Sequence, residues 1–192
     1  MQAKCQVDMT YGDISKQLFM FTIPILLSQI LQQFYNIADT AIIGRYIGTD
    51  ALAAIGSTGL LISVIVNFFI GLSTGISVVI ANQFGANEYD KLKKSISTSL
   101  AVSVLLGIVF TIGSLIFMKP IINILQTPKG VYSLAIDYLK ICFLGITFQL
   151  LYNIGTAILR ALGNTKDPLY FLIFSCILNL ILDILFIVYF GW

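Results

Sequence analysis

The run SISTSLAVSVLLGIVFTIGSLIFM, residues 95–118, contains no charged side chain and is flanked by Lys94 and Lys119. A helix needs roughly 20 predominantly apolar residues to cross the hydrocarbon core of a bilayer. These 24 uncharged residues are therefore enough for one crossing. Because a spanning segment must satisfy its own peptide hydrogen bonds in lipid, an α-helix is the expected structure.

Further apolar stretches lie on both sides of this run. Uncharged windows of 22, 37 and 19 residues separate Lys16 from Asp39, Asp50 from Glu88, and Lys140 from Arg160. From Pro168 onward the chain is apolar except for Asp183. The longest window exceeds one crossing but is short for two with a turn. The sequence therefore predicts an all-α membrane protein, a polytopic bundle of five transmembrane helices in one domain over 1–192, at roughly 15–43, 52–82, 95–118, 132–161 and 168–190.

The composition agrees with lipid as the solvent for most of this surface. Hydrophobic residues make up 58% of the chain and charged residues only 10%, against about 45–50% and about 25% in soluble domains. The formal charge of +2 is too balanced for a nucleic-acid binder, which needs a clustered basic face. Membrane lipid is the expected environment, and nucleic acid is not an expected partner.

The sequence offers little support for an enzyme. It contains no histidine, which excludes an imidazole base and a zinc–histidine site. No phosphate-binding P-loop, GxGxxG or GxSxG motif is present, and no nucleophile–base pair or metal cluster is visible. Cys5, Cys142 and Cys176 form no CxxC pair, and the last two lie in apolar runs, where plain packing is expected. We expect no enzyme activity and no organic cofactor.

The distribution of lysine and arginine predicts the orientation in the membrane. Alternate segments at the amino end, 81–94 and 160–167 carry seven of these residues, and the opposite side carries four. The positive-inside rule then places the amino terminus in the cytoplasm of a plasma-membrane protein, with Tyr189 and Trp192 in the outer aromatic belt. Residues 1–16 are polar and the first apolar run is too long for a signal peptide, so that run is expected to remain as an anchor. The seven are Lys4, Lys16, Lys91, Lys93, Lys94, Arg160 and Lys166; the four are Arg45, Lys119, Lys129 and Lys140.

Three of the predicted helices carry polar residues along a single face. A spacing of three or four residues places side chains on the same side of a helix. Such stripes have no reason to face lipid, so they predict a polar cavity between the helices. The stripes are Gln29, Gln32, Asn36 and Asp39, with Tyr35 beside them, on the first helix; Gln149, Asn153, Thr156 and Arg160 on the fourth; and Ser175, Asn179 and Asp183 on the fifth.

Asp39 and Asp183 are the acidic members of these stripes. An acid inside a membrane is costly unless it is hydrated, paired or protonated, so it is a candidate functional group. The two carboxylates could carry a proton, or could bind sodium together with the amide oxygens of Asn36 and Asn179. The alternative is that Asp39 meets water at the outer interface and that the amides only hydrogen-bond neighbouring helices.

The depths of these two acids do not match on a simple count. At 1.5 Å per residue, Asp39 lies roughly 31 Å beyond Leu18, whereas Asp183 lies roughly 22 Å above Pro168. Tilt, a lower start of the first helix, or a kink at Pro24 would close the gap. Elsewhere, Gly71 and Gly75 form a GxxxG pair, which permits close helix packing within the bundle or between copies.

Several segments, taken in order, resemble the multidrug and toxic compound extrusion (MATE) family, within the wider group that includes lipid-linked oligosaccharide flippases. Together they cover nearly the whole chain, and the combination is more specific than any one of them. They are Pro24 with Ile25-Leu26-Leu27, YNIADTAIIGRYIGTDALAAIG (35–56), ANQFGA (81–86), RALGNTKDP (160–168) and NLILD (179–183).

The resemblance implies a secondary antiporter that exports organic cations or amphipathic drugs against a sodium or proton gradient. Members have two six-helix lobes that rock between outward- and inward-open states. The family's cation or proton site falls on Asp39, Asn179 and Asp183, which would also hold Na⁺, and Asn153 belongs to the same network. Pro24 matches a proline at which the helix bends in some members. The substrate cavity is expected to include Gln32, Tyr35, Asn36 and Gln149.

The chain has five predicted helices where the family's lobe has six. It therefore resembles an amino-terminal lobe without its sixth helix, and the remaining carboxyl-terminal lobe or a second chain is an expected partner. Alternating access needs two halves. A flippase for lipid-linked substrates is an alternative, although only Arg160 and Lys140 come near the relevant helices as phosphate ligands. A non-transporting half-unit that assembles through Gly71 and Gly75 is the other alternative.

Overall fold

The computed structural model describes residues 13–125 and 127–190, so Lys4, Cys5 and Trp192 lie outside the described residues. Within that part of the chain, five helices are long and apolar enough to cross a membrane, which confirms the predicted number of spans. The helices are α1 (Ile14–Tyr46), α2 (Thr49–Gly85), α3 (Tyr89–Ile124), α4 (Tyr132–Ala161) and α5 (Lys166–Asp183), with a 3₁₀ turn over Lys129–Val131 and a π-helical segment over Ile184–Tyr189.

Most helices are longer than the uncharged windows that predicted them. All but the last two residues of the 37-residue window between Asp50 and Glu88 lie in one helix, α2, and not in two. In α3 the helix continues through the charged residues at both ends of the apolar run, including Lys94 and Lys119. Lysine and glutamate are good helix formers, and their long side chains reach water from a helix end. The limits of an uncharged window therefore do not mark the ends of a helix.

The helix ends use local capping chemistry. At the start of α1, the Asp13 carboxylate accepts a hydrogen bond from the Ser15 backbone N–H at 3.0 Å. At the start of α5, the Asn164 side-chain oxygen accepts from the Asp167 N–H at 3.1 Å. Gly163 precedes this cap with φ of +80°, a left-handed conformation that glycine adopts without strain. The RALGNTKDP segment therefore makes a tight connection that fixes the start of α5 beside the end of α4.

The apolar core lies between α2, α3 and α4. Its largest fully buried side chains include Phe69 on α2 and Phe143, Leu139, Leu150 and Ile154 on α4. Helix α4 packs against both α2 and α3. Its inner face is buried along most of its length, so α4 is the central helix of the lobe.

Helices α3 and α4 approach each other closely at Gly107. A methyl group added at Gly107 would lie 2.8 Å from the backbone Cα of Thr147. One helical turn along α3, the Thr111 hydroxyl donates to the Phe143 carbonyl oxygen at 3.1 Å. By contrast, the Cβ positions of Gly71 and Gly75 have no neighbouring atom within 4 Å among the described residues. Packing inside the bundle therefore does not use the GxxxG pair.

Helices α1 and α5 pack against each other at the side of this core. α1 also contacts α2, and α5 contacts α4, whereas no packing contact joins α1 to α4 within the described residues. Their outward faces are apolar and exposed: Pro168 is the one residue of α5 that is buried. A cavity lies in the space between α1 and α4.

Candidate functional site

Asp39 and Asp183 come together where α1 packs against α5. Asp39 lies in the second half of α1, and Asp183 is the last residue of α5 before the π-helical segment. Their carboxyl groups are within hydrogen-bonding reach of each other, and both side chains are partly buried. The structure thus brings the two acids to the same depth, which the residue count alone left unresolved.

Two oxygen atoms beside this acidic pair are buried without a hydrogen-bond partner. They are Asn179 Oδ1 and Asp183 Oδ2, which lie one helical turn apart on the same face of α5. The ion pairs formed within residues 13–125 and 127–190 are Lys91–Glu88 and Lys140–Asp137, so neither Asp39 nor Asp183 has a basic partner there. Buried oxygens normally have a partner. These two oxygens are therefore unusual in having no hydrogen-bond partner among the described residues.

Tyrosine and cysteine side chains surround the acidic pair. Tyr35, one turn before Asp39, lies near both carboxylates and near Cys176 of α5. Tyr138, near the start of α4, lies near Asp39 and next to the Cys142 thiol. Sequence reasoning missed Tyr138, which stands among the charged residues that precede the uncharged window of α4. Its spacing of four from Cys142 was the available signal, since that spacing places both on one helix face.

A cavity of about 630 Å³ lies between α1, α2 and α4 and reaches the first turns of α5. The polar stripe of α4 faces it, as expected from the spacing of these residues, and Gln29 and Gln32 of α1 face it from the opposite side. The apolar wall comes mainly from α2 and the first half of α1. The α4 residues of the stripe are Gln149, Asn153, Thr156 and Arg160.

Several polar side chains in the cavity wall donate hydrogen bonds to backbone carbonyls of their own helices. Ser28 donates to the Pro24 carbonyl at 2.7 Å, and Ser73 donates to the Phe69 carbonyl at 2.7 Å. The Asn153 amide group donates to the Gln149 carbonyl at 2.9 Å. The side chains of Gln32, Thr156 and Arg160 form no hydrogen bond to other described residues. Their polar groups are therefore available to bind a molecule in the cavity.

The predicted site residues separate into two groups. Gln32, Gln149 and Asn153 line the cavity, whereas Tyr35 belongs to the acidic cluster. Asn36 is exposed and belongs neither to the cavity lining nor to the acidic cluster. No hydrogen bond joins Asn153 to either carboxyl within the described residues. The three polar stripes therefore do not form the single cavity that their periodicity predicted, because periodicity specifies a face of a helix but not a depth along it.

The acidic cluster and the cavity are centred at different depths along the helices of the lobe. Tyr138, beside Asp39, and Arg160, in the cavity, are 22 residues apart on α4, which corresponds to about 33 Å along the helix axis. Along α1, the seven residues from Gln32 to Asp39 correspond to about 10 Å. The acidic cluster and the cavity are therefore neighbouring but distinct parts of one lobe.

A sequence profile of the MatE family matches residues 24–185, a span that contains the acidic pair and all but one of the residues that line the cavity. The chain belongs to the MatE family.

Relatives of this MatE chain include bacterial drug exporters. It is 33% identical over 178 residues to the "Probable multidrug resistance protein YoeA" of Bacillus subtilis, a match that covers 92% of this chain and 38% of that protein. It is 28% identical over 172 residues to the multidrug export protein MepA of Staphylococcus haemolyticus, covering 90% of this chain and 38% of that protein.

The MatE fold is also found in solved structures. An outward-facing multidrug resistance MATE family transporter of the MOP superfamily superposes with a TM-score of 0.90 at 27% identity, covering 100% of this chain and 42% of that one. The present chain thus spans about two-fifths of the length of its relatives. Its five helices correspond to part of one half of a MATE transporter.

Proposed function

We propose that this chain forms the amino-terminal part of a secondary antiporter, which exports organic cations or other amphipathic compounds in exchange for sodium ions or protons. The single observation that carries the proposal is the contact between Asp39 and Asp183 inside the membrane-spanning segments. The multidrug relatives support the direction of transport and the substrate class. The membrane is proposed to be a bacterial plasma membrane.

The acidic pair has the properties required of a coupling site. Two carboxylates in contact repel each other when both are charged, so one of them must be protonated or both must share a cation. The pair then binds and releases its ion as a unit. For sodium, the free Asn179 Oδ1 and Asp183 Oδ2 would supply oxygen ligands, together with Asp39. For a proton, the contact itself is enough.

The position of the pair suggests how the ion could act on transport. Asp39 and Asp183 lie on different helices, so an ion shared between them holds α1 against α5. Without it, charge repulsion favours their separation. Since α1 also forms one wall of the cavity, a movement of α1 would change the space available to a substrate. The rest of the antiporter, including a second lobe, is proposed to supply the opposite wall of the transport path.

The test is gradient-driven efflux by the complete protein in membrane vesicles. We expect Asp39→Asn and Asp183→Asn each to abolish efflux, because a neutral amide neither carries a proton nor balances a cation. Asp50→Asn is the matched control, since Asp50 is an exposed acid at the start of α2. Imposing a sodium gradient alone and a pH gradient alone identifies the coupling ion.

Undiminished efflux in both carboxylate variants would refute the proposal. Normal insertion of the variants is checked by their yield in the membrane and by a single symmetrical peak in size-exclusion chromatography. If the wild type inserts equally well but moves no compound under either gradient, the non-transporting half-unit becomes the better explanation.

A further inference from the structure

Arg160 is the single charged residue among those that line the cavity in the described part of the chain. It lies in the last turn of α4, four residues after Thr156 and seven after Asn153, so the three side chains share one helix face. No aspartate or glutamate of the described ranges lines this cavity. The cavity is therefore positively charged, in contrast to the acidic cluster at the other end of α4.

Among residues 13–125 and 127–190, the Arg160 guanidinium has no counter-charge. Its Nε atom is buried and has no hydrogen-bond partner, and no ion pair involves Arg160 among the described residues. Burying a charge is costly unless it is paired and hydrogen-bonded. A guanidinium presents several donors in a planar fork that suits the oxygens of a carboxylate, phosphate or sulfonate. An anion supplied by a bound molecule would provide the missing partner.

We propose that this cavity binds amphipathic molecules that carry an anionic group, and that Arg160 holds that group. The proposal rests on the proposed function, in which the cavity receives the transported compound, and it specifies the chemistry of that compound. The free Thr156 hydroxyl, one turn away, is placed to donate to the same anion. Apolar side chains of α1 and α2, including Ile25, Ile70 and Val78, contact the apolar body of the ligand.

Because the Arg160 site is separate from the acidic pair, its ligand does not compete with the coupling ion. A cationic substrate would compete with sodium or protons for Asp39 and Asp183, whereas an anionic group on Arg160 would not. Zwitterionic and anionic amphiphiles therefore bind in the cavity while the coupling ion remains in place.

The test compares two fluorescent probes that differ by one charge, dansylglycine and its uncharged amide. Binding to the complete purified protein in detergent is followed by dansyl fluorescence. We expect the wild type to bind dansylglycine at least about tenfold more tightly than the amide, as charge-assisted hydrogen bonds imply. Arg160→Gln should bind both probes equally, whereas Arg160→Lys should retain part of the preference because it keeps the charge.

Arg45→Gln is the matched control. Arg45 is exposed in the last turn of α1, so the variant loses one positive charge far from the cavity and should keep the full preference. Unchanged affinity of Arg160→Gln for the amide shows that its cavity is intact. An unchanged preference for dansylglycine in Arg160→Gln would overturn the inference, as would the absence of any preference in the wild type. Asp183→Asn should lose efflux yet keep the preference, so the two proposals fail separately.

The same anionic chemistry could come from a lipid headgroup or from a soluble compound. Repeating the titration in nanodiscs of phosphatidylcholine, with and without phosphatidylglycerol, separates these sources. If anionic lipid enters the site, phosphatidylglycerol weakens dansylglycine binding to the wild type but not to Arg160→Gln. If it does not enter, the wild-type affinity is the same in both lipids, and a soluble anion is the ligand.

Discussion

Asp39 and Asp183 show how much depends on contact between single residues. Each acid alone would be a costly group that could snorkel to water or remain protonated. Together, with the unpartnered oxygens of Asn179 and Asp183 beside them, they form the proposed site for the coupling ion or proton. Their spacing within α1 and α5 indicates the correct helix faces. Their contact depends on how the two helices slide past each other, which no local pattern specifies.

Gly107 allows a test at the same scale. We expect Gly107→Ala to destabilise the protein by about 1–3 kcal/mol, the usual cost of overpacking, because the new methyl would lie 2.8 Å from the Thr147 Cα, a backbone atom that cannot rotate away. Thermal unfolding of the detergent-solubilised protein measures the change.

Gly113→Ala is the control for this substitution. Gly113 lies on the same helix, and its Cβ position has no neighbouring atom within 4 Å among the described residues. Alanine is a better helix former than glycine, so this variant should be equally stable or slightly more stable. Equal unfolding temperatures for the two variants would show that α3 and α4 are not as close as described.

At the scale of elements, α1 combines two opposing features. It is a continuous helix over Ile14–Tyr46, yet it contains Pro24, which lacks an N–H and cannot complete the hydrogen bond to the preceding turn. The Ser28 hydroxyl donates a hydrogen bond to the Pro24 carbonyl, and this bond competes with the backbone hydrogen bonds of the same turn. The bend predicted at Pro24 remains a prediction. It would occur in the part of α1 that lines the cavity.

Pro24→Ala tests whether this weak point is used. The variant regains one backbone hydrogen bond, so the unfolding temperature should rise by an amount equivalent to on the order of 1 kcal/mol, while efflux by the complete protein should slow. Pro120→Ala restores a bond in the same way at an exposed position near the end of α3, and it should not affect efflux. Equal efflux in the two variants would show that transport does not require α1 to bend.

The sequence predicted the elements more completely than their arrangement. Long uncharged runs have one structural solution in lipid, so the five helices follow directly from composition. The helix ends were underestimated because charged residues continue a helix beyond the hydrocarbon, as Lys94 and Lys119 do in α3. The role of Tyr138 and the isolation of Arg160 depend on which helices are neighbours. That pairing is decided by packing at positions such as Gly107, which look ordinary in the sequence.

At the scale of the whole molecule, the exposed surface is largely apolar. Side chains such as Phe148, Phe171 and Phe174 are more than half exposed. In water such a surface would aggregate, whereas in a bilayer it meets lipid or other helices. The high hydrophobic content is therefore a property of the outer surface as much as of the core.

The orientation of the lobe can be tested by labelling from one side. We expect the loop before α2 to face outward and the loop before α3 to face the cytoplasm, since the first turns of α3 carry Lys91, Lys93 and Lys94. In a variant without native cysteines, Asp50→Cys should react with an impermeant maleimide in intact cells. Asp90→Cys, which also replaces an exposed acid, should react only after permeabilisation. The opposite labelling pattern would invert the topology and place the Arg160 end outside.

The π-helical segment that follows Asp183 has a consequence for insertions and deletions in this part of the chain. Ile184–Tyr189 is a π-helical segment, in which a backbone N–H donates to the carbonyl five residues earlier. The Phe190 N–H, for example, donates to the Leu185 carbonyl at 3.1 Å. A π-turn contains one residue more than an α-turn. A one-residue deletion here would restore the ordinary winding and rotate everything downstream, while leaving the acid in place. A change of one residue in the length of this segment would therefore alter the direction of the following chain without moving the proposed ion site.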